Sequence, residues 1–173
     1  MISSSSGCFA RALIAWNFTY IDILKPYQKS PFDLSSYPDK ITPSSYKLGV
    51  NYQVTADPPF EGLVILGYTD SIDSLGYHKI VGEIKNNGAA QATYVEVICT
   101  YYDSAGKVIG TAFTFTPYDI SVGDTAPFEL SSYPRKLTPA SYELQVQGQY
   151  WFRYDFLRLG DERETWLPRI PLL

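Results

Sequence analysis

His78 is the single histidine of the chain, so any acid–base or metal chemistry that needs an imidazole must be built on it. A Ser-His-Asp triad would require the fold to bring a carboxylate and a hydroxyl to that ring, because no nucleophile motif lies beside it in sequence. A zinc site would need further His or Cys ligands at regular spacing, and none accompany it. The plainer reading, which we prefer, is a histidine at the end of a strand. Asp70, Asp73 and Gly76 share residue types with a calcium loop, yet the alternating carboxylates of such loops are absent and DSIDSLG reads as a turn. Glu83 and Glu96 fall on outward positions of their strands, where surface residues are expected in place of a hydrolytic acid and base. The sequence thus predicts no catalytic residue, no cofactor and no metal.

Cys8 and Cys99 are too few and too far apart in sequence to define a disulfide framework, and two free thiols are expected. Asn17-Phe18-Thr19 matches a glycosylation acceptor, which matters only in a glycosylating export pathway. Aromatic residues offer a different chemistry, since exposed Tyr and Trp stack on sugars or anchor protein partners. The candidates for such an interaction are Tyr37, Tyr133, Trp151 and Trp166. Tyr37 and Tyr133 sit in two copies of the tetrapeptide SSYP, and Tyr46 and Tyr142 recur nine residues after them. Recurrence at equal positions argues for a shared packing role over a ligand platform.

Those copies belong to a longer repeat. PFDLSSYPDKITPSSYKL, starting at Pro31, and PFELSSYPRKLTPASYEL, starting at Pro127, agree at 13 of 18 positions with a constant offset of 96 residues. Upstream, WNFTYIDI from Trp16 aligns with FTFTPYDI from Phe113 at an offset of 97, and one extra residue in the following turn restores the register. The chain therefore holds a tandem repeat of a unit of about a hundred residues, an ordinary domain size. One unit is complete; of the unit before it only the second half is present. The division is 1–55 for the half unit, 56–60 for a proline-broken linker, 61–151 for the complete unit and 152–173 for a C-terminal extension without a counterpart, whose Trp166–Leu173 part is read as a flap over a sheet edge, with a docking segment for a neighbouring domain or protein as the alternative.

Twenty-seven aromatic residues against one Met, with twelve Gly and twelve Pro, favour strands and turns. YHKIVGEIKN alternates with period two and places His78, Ile80, Gly82 and Ile84 on one face. TYVEVICTYY does the same for Val95, Val97, Cys99 and Tyr101. Asn86-Asn87-Gly88 signals a turn, and Asp103 to Gly106 suits a hairpin with Gly in the left-handed position. Six or seven such strands predict an all-β fold, an antiparallel immunoglobulin-like β-sandwich.

The succession VGEIKNNG, YVEVICTYYDSAGKVIGT and VGDTAPFEL resembles the FxLYD domain family. The motif of the name falls on Cys99 to Asp103, where Tyr102 and Asp103 agree while Cys99 stands for the Phe and Tyr101 for the Leu. Lys85-Asn86-Asn87, Asp103-Ser104, Gly106-Lys107, Gly123 and Thr125 to Phe128 carry most of the match, which covers about residues 60–150 with a half copy at about 10–54. The resemblance implies an immunoglobulin-like sandwich without enzymatic activity, in an exported or cell-envelope protein, and no specific ligand.

Net charge is −4 with scattered basic residues, which disfavours nucleic acid as a partner. No apolar run approaches the roughly 18 residues of a membrane span, and the start lacks the basic region of a clear signal peptide. Neighbouring domains of the same array or another protein are the expected partners. A half sandwich also leaves open edges. Three explanations for it stand: sequence upstream of Met1, pairing with the complete unit, or self-association with a second molecule. A structural spacer or protein-interaction domain is the expected function, with carbohydrate binding or adhesion through exposed Tyr and Trp as the alternative.

Overall fold

The computed structural model describes residues 17–34, 45, 47–132 and 139–150. It divides into two compact units, Met1–Pro58 and Pro59–Leu173. Among the described residues the second unit is all-β, with six strands: β1 (Leu63–Ile72), β2 (His78–Asn86), β3 (Ala92–Tyr102), β4 (Val108–Phe115), β5 (Thr125–Ser132) and β6 (Ser141–Tyr150). They form two antiparallel three-stranded sheets, ordered β1-β2-β5 and β4-β3-β6. β4 lies against β5 and β1 against β6 where the sheets meet.

The period-two patterns dictate what lies between the sheets. Ile80 and Ile84 of β2 and Ala126, Phe128 and Leu130 of β5 face Val95, Val97, Cys99 and Tyr101 of β3, and all are buried. Gly82 interrupts the aliphatic row of β2 for a steric reason. A methyl group there would come within 2.6 Å of the Gly67 carbonyl oxygen and 2.7 Å of the Phe128 ring. Gly82→Ala is therefore expected to destabilise the unit by about 1–3 kcal/mol, the usual cost of overpacking. Urea unfolding would check this, and a midpoint equal to that of the parent would refute it.

Two hairpins share one turn design. Asp73 Oδ1 accepts the backbone N–H of Leu75 and Tyr77, and Asp103 Oδ1 accepts those of Ala105 and Lys107 in the same way. Gly76 and Gly106 take positive φ of 85° and 75°, which a side chain disfavours. The hairpin expected at Asp103–Gly106 is present, but the loop read from Asp70 begins later, because β1 continues to Ile72.

β1 carries a bulge. Up to Ile65 it pairs in one register with β2, and from Gly67 onward in a register shifted by one, leaving Leu66 as the extra residue. The alternation of faces reverses there. Tyr68, Asp70 and Ile72 consequently stand opposite Gly82, Ile80 and His78 on the face toward the other sheet. A strand continued without the bulge would have turned Asp70 outward.

The chain enters β1 and leaves β6 at one end of the sandwich, where the rings of Phe60 and Tyr150 lie 4.7 Å apart. At that end Asn86, fully buried, holds the β2–β3 turn against the β4–β5 connection. Its amide donates to the carbonyls of Ala90 (2.8 Å) and Ile120 (2.9 Å), and its Oδ1 accepts from Gly88 N–H at 2.8 Å.

The described residues of the first unit contain no strand. They are tied by Tyr20 N–H to the Pro31 carbonyl, by the Asn17 amide to the Asp33 carbonyl and by Ile21 N–H to Ser30 Oγ. Thr19 Oγ1 donates to the Ile21 carbonyl at 3.1 Å, and its counterpart Thr116 donates to the Tyr118 carbonyl at 2.9 Å.

Candidate functional site

The chemically richest place among the described residues is the opposite end of the sandwich, around His78. The ring is 5 % exposed and lies at the start of β2, at the inner edge of an open cleft of about 420 Å³. Tyr68, Asp70 and Ile72 of β1 line one side of this cleft, and Pro139 to Tyr142 line the other. Because the β1 bulge turns Asp70 inward, its Oδ2 lies 3.0 Å from His78 Nε2. On the far side of the ring, Nδ1 lies 3.0 Å from Tyr101 Oη, which is itself 2.6 Å from Ser132 Oγ. Asp70, His78, Tyr101 and Ser132 thus form one chain of hydrogen bonds that ties β1, β2 and β5 of one sheet to β3 of the other.

Tyr142 closes the cluster from β6, its ring edge-on to His78 with centroids 5.2 Å apart. Its hydroxyl interacts with the Asp70 carboxylate, which raises the pKa of the tyrosine and lowers that of the carboxyl. The charge states follow from these contacts. The His78 hydrogen bond holds the Asp70 carboxyl below its ordinary value of 3.8, against a smaller opposing effect of burial. Burial pushes the Tyr101 hydroxyl well above its ordinary value of 10.0, with Ser132 opposing. Tyr142 is raised by burial first and then by its interaction with Asp70. Burial pushes the Cys99 thiol, free and enclosed between the sheets, up to about 11.

These shifts set a pH profile for stability. The folded-state value of Asp70 is lowered, so its stabilisation is complete above pH 3.8 and is lost as pH falls through the lowered value. The values of Cys99 and Tyr101 are raised, so theirs is complete below 9.0 and 10.0 respectively and is lost as pH rises through the folded-state values. Urea unfolding across pH is expected to give a plateau with falling acid and alkaline limbs, and Asp70→Asn should flatten the acid limb. An acid limb as steep in that variant as in the parent would refute the assignment.

As chemistry, the cluster has the base and the carboxylate of a triad but not its nucleophile. A hydrolytic histidine needs an accessible hydroxyl at the nitrogen not held by the carboxylate. Here that place is occupied by Tyr101, which is buried and hard to ionise, and Ser132 is bonded to Tyr101 in place of His78. Every buried side-chain nitrogen or oxygen among the described residues has a hydrogen-bond partner. No three His, Cys, Asp or Glu side chains among them converge as a metal site would require, and Asp73 Oδ1 is engaged by its own turn.

Glu83 is exposed, as period two predicts, but Glu96 is only 7 % exposed. β3 is the central strand of its sheet, and Phe115 and Gln147 flank Glu96 on the same face, with Gln147 Nε2 donating to its Oε2 at 2.6 Å. Outward parity therefore does not mean exposure on a central strand roofed by long neighbours. The candidate interaction residues Tyr37, Tyr133, Trp151 and Trp166 lie outside the described residues, as do Cys8, Tyr46 and the extension 152–173. No described helix is long and apolar enough to cross a membrane.

Comparison with known proteins finds no family model, no curated protein and no solved structure that matches this chain.

Proposed function

We propose that the chain is a non-enzymatic, immunoglobulin-like module of the FxLYD type, serving as a structural spacer or protein-interaction domain of an exported or cell-envelope protein. The observation that carries this reading is the place of Tyr101. It takes the position beside His78 that a nucleophile would need, and it passes the hydrogen-bond chain on to the part-buried Ser132 at the end of β5. The strand order supports the immunoglobulin-like part, because β1-β2-β5 facing β4-β3-β6 corresponds to an ABE sheet facing a C′CF sheet. Repetition of the segment in two units supports a place in an array.

Sugar binding would gain support from coplanar exposed rings. The described ring pairs are all tilted, with interplanar angles from 45° to 82°, so the interaction reading is preferred. The test is hydrolysis of p-nitrophenyl acetate and p-nitrophenyl glycosides by the purified chain, beside His78→Ala. Rates at the buffer background for both proteins are expected; turnover by the parent that His78→Ala abolishes would overturn the non-enzymatic reading.

A further inference from the structure

Tyr68 and Asp70 stand two residues apart on β1 and therefore on one face of the strand. The bulge at Leu66 turns that face toward the other sheet, where Tyr142 of β6 meets both side chains. The rings of Tyr68 and Tyr142 lie with centroids 6.1 Å apart and planes inclined at 58°. One cation can therefore lie within the roughly 6 Å of both centroids over which cation–π attraction acts.

Asp70 supplies the negative charge. Its side chain is 47 % exposed, and its partners are His78, through Oδ2, and Tyr142. A neutral imidazole satisfies this arrangement, giving its single N–H to Asp70 and accepting the Tyr101 hydroxyl at Nδ1, so the carboxylate keeps its charge. His78 occupies one of the roughly four acceptor positions of the carboxylate and Tyr142 at most another, which leaves room for a further donor. The hydrogen bond of His78 holds the Asp70 carboxyl low, while burial and then Asp70 raise Tyr142. At neutral pH the pair is an anion beside a protonated phenol. Lys79, next to His78 in sequence, is engaged on the outer face by Glu129 at 2.8 Å.

The rest of the cleft is apolar in the same neighbourhood. Ile72, 67 % exposed, and Pro139 line it beside the rings and the carboxylate. Its volume of about 420 Å³ falls within the roughly 300–1,000 Å³ of small-ligand sites. A carboxylate among aromatic and aliphatic walls suits an amphipathic cation, a positive head on a short alkyl stem. With Oδ2 bonded to His78, Asp70 does not present the two free oxygens that a guanidinium fork pairs with, which favours a primary ammonium. We propose that this cleft binds a primary alkylammonium group, either a lysine side chain of another polypeptide or a free amine. Asp70 accepts its N–H, and the rings of Tyr68 and Tyr142 flank its charge. Such a site goes beyond the interaction-domain reading, because a free amine would satisfy it as well.

The test is titration of the isotope-labelled full chain, slightly above neutral pH and at low ionic strength, followed by the NMR shifts of its backbone amides. The probes are n-butylammonium chloride and, separately, Nα-acetyl-lysine N-methylamide. Shifts that saturate in the millimolar range are expected at residues 68–72, 76–78 and 140–142. n-Butanol, which keeps the stem and lacks the charge, should give no saturable shift. Asp70→Asn should abolish binding, and Tyr68→Leu, at a half-exposed position, should weaken it by about fivefold. Amide positions elsewhere in the spectrum verify that each variant keeps the fold. Saturation by both amines, or by one alone, supports the site and identifies the source it accepts. Absence of saturation with either amine, or equal saturation by butanol, would overturn the proposal. Parent affinity in Asp70→Asn or in Tyr68→Leu would overturn it too, since the carboxylate or the rings would then contribute nothing.

Discussion

Asn86→Leu is expected to lower the unfolding free energy of the second unit by on the order of 3 kcal/mol or more, a large part of the roughly 5–15 kcal/mol that holds a domain of this size. The side chain is fully buried and has three backbone partners, the carbonyls of Ala90 and Ile120 and the N–H of Gly88. Leucine has nearly the same volume but leaves all three unpaired in a site closed to water. Aspartate is no remedy: it accepts from Gly88 but has no donors for the two carbonyls, and it sets a charge against them. The backbone of the same residue bonds Asp124 and Gly123, so loosening the side chain frees the β4–β5 connection too. Urea unfolding monitored by Trp and Tyr fluorescence checks this, and a loss below 1 kcal/mol would mean that the turn is held by its backbone alone.

Tyr101 gives the second large effect and permits its two contributions to be separated. Among the described residues it is the largest fully buried side chain, and its ring fills the core while its hydroxyl joins His78 to Ser132. Tyr101→Phe keeps the ring and leaves two hydrogen-bonding groups short of a partner, for a loss of about 1–3 kcal/mol. Tyr101→Ala removes the ring as well, and the cavity raises the loss to about 3–5 kcal/mol or beyond. If phenylalanine proved as stable as the parent, the polar chain would be incidental to the fold. If alanine were no worse than phenylalanine, the ring would not be filling the core as described.

Much of the fold can be read from alternation. Inward positions in YHKIVGEIKN and TYVEVICTYY are read correctly because each strand segment keeps one parity over the residues that make the core. The polar cluster cannot be read that way. Its carboxylate reaches His78 only because Leu66 is an extra residue, and LVILGYTDSI gives no period-two signal of where the strand reverses its faces. Gly67 beside the bulge was the one local cue. Tyr101 was legible as an inward residue, but not as the partner of His78, since that contact joins strands from different sheets. Asn86 was legible as a turn former, whereas its role in binding the distant Ile120 carbonyl depends on a contact 34 residues away. Glu96 shows the converse: its orientation was right, and its burial came from neighbours on two other strands.

The contact between Phe60 and Tyr150 bears on how such a module would carry load. With Phe60 and Tyr150 side by side, tension applied at these two residues acts across the ladders of β1 and β6 and opens their bonds one after another, in contrast to shearing a whole strand at once. The same geometry makes the folded distance between Phe60 and Tyr150 short, because the chain returns to where it began, so resistance to pulling there is set by single bonds and not by a whole ladder.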